Sequence, residues 1–178
     1  MINLMKRGLP QHISVGGEPF QVYTDFRVWM RFCNQFEKWD RVGELDVSYL
    51  FIDRVPLIKT ESDVESILEF AYPPAVVPKS SGGDTDRILD YEIDADYIYS
   101  AFLGQYGIDL TEEDMHWHKF HALLRGLNSS TRLYEIMGYR SYEGKDKDYQ
   151  KLRNLWQLPM VVTEADKQAK QEFDDYFG

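Results

Sequence analysis

The sequence has a single cysteine, Cys33, among 178 residues. No disulfide can therefore staple the chain internally, no cysteine pair has zinc spacing, and a lone thiol fits a reducing compartment. Cys33 lies at helical spacing from Phe26, Trp29 and Met30 and reads as a small buried apolar residue. Nowhere do about 18 apolar residues run together, and the opening MINLMKRGLP lacks the apolar stretch of a secretory signal. Neither membrane spanning nor export is expected, which places the protein in the cytoplasm. An excess of positive charge is missing too. Lys and Arg number 20 against 30 Asp and Glu, a formal net charge of −10. Residues 1–40 carry five basic against four acidic residues, 41–114 five against 17, and 115–178 ten against nine, so the acidity lies in the middle. Nucleic-acid binding needs clustered cations on phosphate, and this balance argues against it.

Catalytic signatures are equally scarce. There is no G-x-x-x-x-G-K-S/T phosphate loop, no G-x-G-x-x-G after a strand and no G-x-S-x-G elbow. No repeat of 20 to 50 residues and no cofactor motif stands out, so neither enzymatic activity nor a cofactor is expected. A chain of 178 residues is long enough to bury a core as one domain over 1–178 without a metal or disulfide.

What is present is helical periodicity. Ile13, Val15, Phe20 and Val22 alternate around Gly16-Gly17, which predicts a β-hairpin over about 12–23. Thr24 or Asp25 then caps a helix to about Lys38 with Phe26, Trp29, Met30, Cys33 and Phe36 inward. A helix is expected over 45–59 from Val47, Phe51, Val55 and Ile58, with Pro56 able to end it early. Thr60 and Asp63 form a capping pattern before the stripe Val64, Ile67, Leu68 and Ala71, which Pro73-Pro74 stops. Residues 73–87, rich in Pro, Gly and Ser, read as a surface loop or linker. Asp84, Asp86, Asp90, Glu92, Asp94 and Asp96 read as solvating that loop and the next helix start, or as an acidic face for a basic partner.

The densest apolar face belongs to 94–127. Ala95, Ile98, Phe102 and Tyr106 mark a helix that Gly107 closes, and Thr111 with Asp114 predicts the start of a second, antiparallel helix bearing Trp117, Phe120, Leu123, Leu124 and Leu127. Asp114, His118 and His121 share one face of that helix, a geometry able to supply three metal ligands. The pattern lacks the H-E-x-x-H arrangement of zinc proteases, so packing and a surface Asp114–His118 pair are the simpler reading, and no metal is expected. Helices near Ser130 and over Lys147–Gln157 follow. A thin stripe of Ala165, Ala169, Phe173 and Phe177 marks a last helix over about 163–178. The fold class is mainly α, several helices with a small amino-terminal β-hairpin.

The run F-x-x-x-Y-G-I-D-L at Phe102–Leu110, then M-H-W-x-K-F-x-x-L-L-x-G-L at Met115–Leu127 and R-L-Y-E-I-M-G-Y-R at Arg132–Arg140, resembles the bacteriophage "gene product fifteen" family of Gram-positive siphophages and prophages. The resemblance spans about Ile88–Arg140. It implies a non-enzymatic tail-assembly chaperone, encoded upstream of the tape-measure gene, that binds and solubilises the tape-measure protein in the host cytoplasm and self-associates along it. The alternative is a structural tail or head-completion protein retained in the virion. Tyr91, Tyr97 and Tyr99 around the acidic helix start, and Phe173, Tyr176 and Phe177 in the tail, are the candidate partner-contact residues.

Overall fold

The computed structural model describes residues 2–39, 45–73, 87–160, 166 and 169–170. Within them lie six α-helices and one two-stranded antiparallel sheet, a mainly α fold as the periodicity predicts. No described helix is long and apolar enough to cross a membrane. The chain divides into two compact units. One comprises Met1–Pro10, Thr24–Phe26 and Tyr72–Leu158; the other comprises Gln11–Tyr23, Arg27–Ala71 and Pro159–Gly178.

The second of these, called here the hairpin unit, begins with β1 (His12–Val15) and β2 (Glu18–Gln21), paired in the register Ile13↔Phe20 and Val15↔Glu18. Gly16 and Gly17 form the two-residue turn with φ of 58° and 83°, the positive angles that a tight hairpin needs and that side chains resist. Ile13, Val15 and Phe20 point inward toward α2 (Glu61–Ala71), which packs on β1. The helix α1 (Phe26–Glu37) buries Trp29, Phe32 and Cys33, while Met30 and Phe36 are half-buried; Phe32 completes an inward face that the sequence spacing left out. Trp29 stacks near Phe70 with ring centroids 4.5 Å apart, and its indole nitrogen donates to the Tyr23 carbonyl at 2.7 Å. A buried indole thus keeps its polar end satisfied.

The cap of α2 forms as its spacing predicts. Thr60 Oγ1 accepts from the Asp63 amide at 3.3 Å, and Asp63 Oδ2 accepts from the Thr60 and Lys59 amides at 3.0 Å each. Those donors hold the Asp63 carboxyl below its ordinary range. The helix expected over 45–59 does not form; only a 3-10 turn, Ser48–Leu50, stands there. Asp46 Oδ1 accepts from both the Ser48 amide and hydroxyl, at 2.9 and 2.6 Å, and this side-chain turn competes with helix formation. The next residues are extended instead: Phe51 bridges Val22, the Tyr23 amide donates to Leu50 O, and the Ile52 amide donates to Gln21 O.

The other unit, called the helical unit, holds α3 (Ala95–Tyr106), α4 (Trp117–Arg125), α5 (Arg132–Arg140) and α6 (Lys147–Trp156). Gly107 closes α3 in the left-handed region at φ 66°, as expected, with its amide bonded to Leu103 O. The start of α4 differs from expectation. Asp109 Oδ1 takes the Thr111 amide and hydroxyl, at 2.9 and 2.6 Å, so Thr111 is engaged backward and caps nothing ahead of it. Asp109 O also accepts from the Glu112 and Glu113 amides, at 3.2 and 2.9 Å, closing a turn; beyond it His116 bridges Asp25, and His116 Nδ1 becomes the cap by accepting from the His118 amide at 3.0 Å. With that longer connection the two helices do not form the expected antiparallel hairpin. Their carboxyl-terminal turns meet: Tyr106 donates its hydroxyl to Leu123 O, and Gln105 bonds Gly126 O and the Asn128 amide.

The core of this unit is a stack. Phe120 lies between Phe26 and Phe102, each with centroids 5.0 Å away and nearly parallel rings, and Trp117 stacks alongside. Leu133 and Ile136 of α5 and Ile98 of α3 are buried as well. By contrast α6 buries no residue fully and leaves Leu155 74% exposed. Of the expected loop over 73–87, residues 74–86 fall outside the described residues. The expected tail helix over 163–178 is described only at Asp166, Ala169 and Lys170, which are helical.

Candidate partner-binding site

In the hairpin unit, α1, α2 and the 45–58 segment enclose a groove of about 490 Å³. Its floor is apolar and buried, formed by Phe32, Val47 and Ile67, while Trp39, Val55, Ile58 and Val64 stand half-exposed or exposed around the opening. The wall at 45–49 is tied to α1 by polar contacts. Gln35 donates to Asp46 O at 3.2 Å and accepts the Tyr49 hydroxyl at 2.7 Å, and Arg31 lies 4.2 Å over the Tyr49 ring. Burial pushes the Tyr49 hydroxyl up to about 12, so it remains a neutral donor at every working pH. Asp46 sits at the rim, its carboxyl held below the ordinary range by Ser48. Outside the groove's lining, the exposed face of α2 carries Glu61, Glu65 and Glu69. An apolar trough with a carboxylate at its rim, beside an acidic helix face, suits one face of an amphipathic helix with basic flanks. A second depression, about 670 Å³, lies by the hairpin turn, lined by residues that include Gly16, Gly17, Lys59, Ser62, Asp63 and Ser66.

Of the residues singled out by sequence, Tyr91, Tyr97 and Tyr99 do not line this groove. Tyr91, Tyr97 and Tyr99 are each half-buried and engaged by their own unit. The Tyr91 hydroxyl is 3.1 Å from His121 Nε2 and its ring meets Trp117 edge-on; Tyr97 lies edge-on to Trp156; Tyr99 donates to Asp109 Oδ2 at 3.2 Å. Phe173, Tyr176 and Phe177 lie outside the described residues. Asp114, His118 and His121 are not gathered into a metal-holding group, and no such group of three occurs among the described residues. His118 is buried, and His121 packs on Trp117 at 4.3 Å between centroids. Burial lowers the His121 ring to about 4, with the charge of Arg125 adding to the effect.

Sequence reasoning missed the groove, because its walls come from segments that no spacing rule connects. It also misplaced two acids. Asp90 and Asp94 do not solvate a loop; both are buried. Arg140 closes a fork on Asp94, Nη1 to Oδ2 at 2.6 Å and Nη2 to Oδ1 at 2.9 Å. Its remaining donors reach Trp156 O at 2.7 Å and Ile88 O at 3.0 Å. Asp94 Oδ2 accepts from the Asp90 amide, Asp90 Oδ1 accepts from the Glu92 and Ile93 amides, and Arg87 pairs with Asp90 Oδ2 at 3.0 Å. Every charge in this clip is balanced, which a dry interior requires. The clip joins the amino end of α3 to the carboxyl ends of α5 and α6. Two of the central acids are thereby neutralised within the protein and contribute little to an outward acidic face.

The sequence model of one protein family, described as Bacteriophage Gp15 protein, matches residues 50–159. No curated protein matches the chain. No solved structure matches it. The matched residues hold α2 through α6, hence the whole clip and the α2 wall of the groove, whereas the hairpin and α1 precede them.

Proposed function

Because the chain belongs to the bacteriophage Gp15 family, we propose that it is a tail-assembly chaperone that binds the phage tape-measure protein and keeps it soluble in the host cytoplasm until the tail tube forms. It catalyses no reaction on this reading. The observation that carries it is the groove: a preformed apolar trough with a half-exposed rim, on a phage-family chain. A long helical client exposes apolar stripes that associate with one another unless another surface covers them. About two turns of such a stripe, apolar at i, i+3, i+4 and i+7, suit a trough of this kind. The acidic rim adds attraction for basic client segments, which moderate salt weakens. Binding through one shallow site is reversible, as a chaperone displaced by tube subunits requires.

Co-expression with the long protein encoded next downstream tests this. The expected result is a client that is soluble only with this chain present and that co-elutes with it. A client indifferent to this chain, together with recovery of the chain at fixed stoichiometry in purified particles, overturns the chaperone reading and favours a structural tail or head-completion protein.

A further inference from the structure

Near its amino end the helical unit holds two apolar side chains out in water. Asn3 Oδ1 accepts from the Met5 amide at 2.9 Å and Asn3 O from the Lys6 amide at 3.1 Å, a closed turn that points Leu4 and Met5 outward at 95% and 97% exposure. Lys6 and Arg7 follow and are exposed too. An apolar pair held out in water by this turn, set beside two cations, is a surface that a partner can cover.

The trough in the hairpin unit has the complementary chemistry. Phe32, Val47 and Ile67 give it an apolar floor, Asp46 stands on its rim, and α2 presents Glu61, Glu65 and Glu69 with no Lys or Arg in the helix. At about 490 Å³ it has room for two aliphatic side chains, being within the ~300–1,000 Å³ of sites that enclose small ligands.

We propose that Leu4 and Met5 of one copy seat in this groove of a second copy, with Lys6 and Arg7 facing Asp46 and the α2 glutamates. Plug and groove are different surfaces, so the contact is heterologous: each added copy brings a new plug and a new groove, and the product is an open chain. Two anchor side chains make a small, transient interface, so assembly rises with concentration and falls with salt. The proposal shares the groove with the client reading but does not rest on it; client and second copy compete for one seat.

Sedimentation of the full chain over a wide concentration range tests it without any client. The expected result is a mass that climbs beyond a dimer as concentration rises and returns toward the monomer in high salt. The plug variant Leu4→Asp with Met5→Asp, and the groove variant Val55→Asp, are each expected to sediment as folded monomers, with Val64→Asp as a second groove variant. Mixed together, plug and groove variants each retain one good surface, so they form a 1:1 pair and nothing larger. A wild-type chain that stays monomeric leaves the groove to the client or to the chain's own carboxyl-terminal segment and overturns the proposal. So does a closed dimer that survives in the plug variant, or a mixture that forms no pair.

Discussion

The interior of the helical unit encloses Asp90, Asp94, His118 and Arg140, whereas among the described residues the hairpin unit encloses one charged group, the capping carboxylate of Asp63. Two ways of specifying a structure follow from that difference. A buried fork such as Asp94–Arg140 tolerates one geometry, because any slip leaves a charge in low dielectric. An interior of Trp29, Phe32, Ile67 and Phe70 is held mainly by area and shape, with the Trp29 indole's bond to Tyr23 O as a directional tie, and its unfinished edge is a trough able to accept one apolar face or another. The fixed unit lies almost wholly in the family-matched residues, and the trough straddles their boundary.

The largest expected effect breaks the fork. Arg140→Met leaves Asp94 buried without its partner and should cost about 3–5 kcal/mol, read from urea unfolding. Adding Asp94→Asn should recover part of that loss; full additivity of the two substitutions in a double-mutant cycle would show that the pair is not coupled. Acid separates the two units next. With the His121 ring at about 4, below its ordinary 6.5, the unfolded chain takes up the proton first as pH falls. Stability is therefore complete above pH 6.5 and is lost as pH drops toward 4, by on the order of 2–3 kcal/mol. The depressed carboxyls Asp63 and Asp46 of the hairpin unit act only below their ordinary 3.8. Hydrogen exchange at pH 5 should accordingly rise in the helical unit first, and His121→Gln should flatten that response.

Gly107→Ala tests a backbone position. At φ 66° a side chain is strained, and the variant should lose about 1–2 kcal/mol, seen as a lowered urea midpoint with unchanged slope. The smallest effect on stability belongs to the trough. Val55 is 53% exposed, so Val55→Asp should stay within about 0.5 kcal/mol of wild type while weakening client capture at least about tenfold in a pull-down titration. Retained capture would move the client site off the groove.

Local chemistry made some of this legible in the sequence and chain separation hid the rest. Two identical patterns show the division. Thr60-x-x-Asp63 and Thr111-x-x-Asp114 have the same spacing, yet only the first becomes a cap. Two residues before Thr60 stands Ile58, which competes for nothing; two residues before Thr111 stands Asp109, which captures its amide and hydroxyl. Gly107 could be read because an αL cap depends on its immediate neighbours. The 45–59 stripe misled because Asp46 turns the chain before a helix can nucleate, and because Phe51 and Ile52 complete pairing with a hairpin some thirty residues earlier. The partnership of Arg140 with Asp94 carries no local pattern. Neither residue type marks burial, and charged residues are ordinarily surface groups.

Asp94 and Arg140 stand 46 positions apart, and that separation has a meaning during synthesis. A ribosome adding about 5–20 residues per second leaves Asp94 waiting roughly two to nine seconds for its guanidinium. Until then the carboxylate must keep its water, so the amino end of α3 cannot enter a dry interior. The guanidinium in turn still needs Trp156 O, which is made later again. The helical unit therefore cannot close as its helices emerge one by one from the exit tunnel; it closes late, when its last helix supplies the final acceptor.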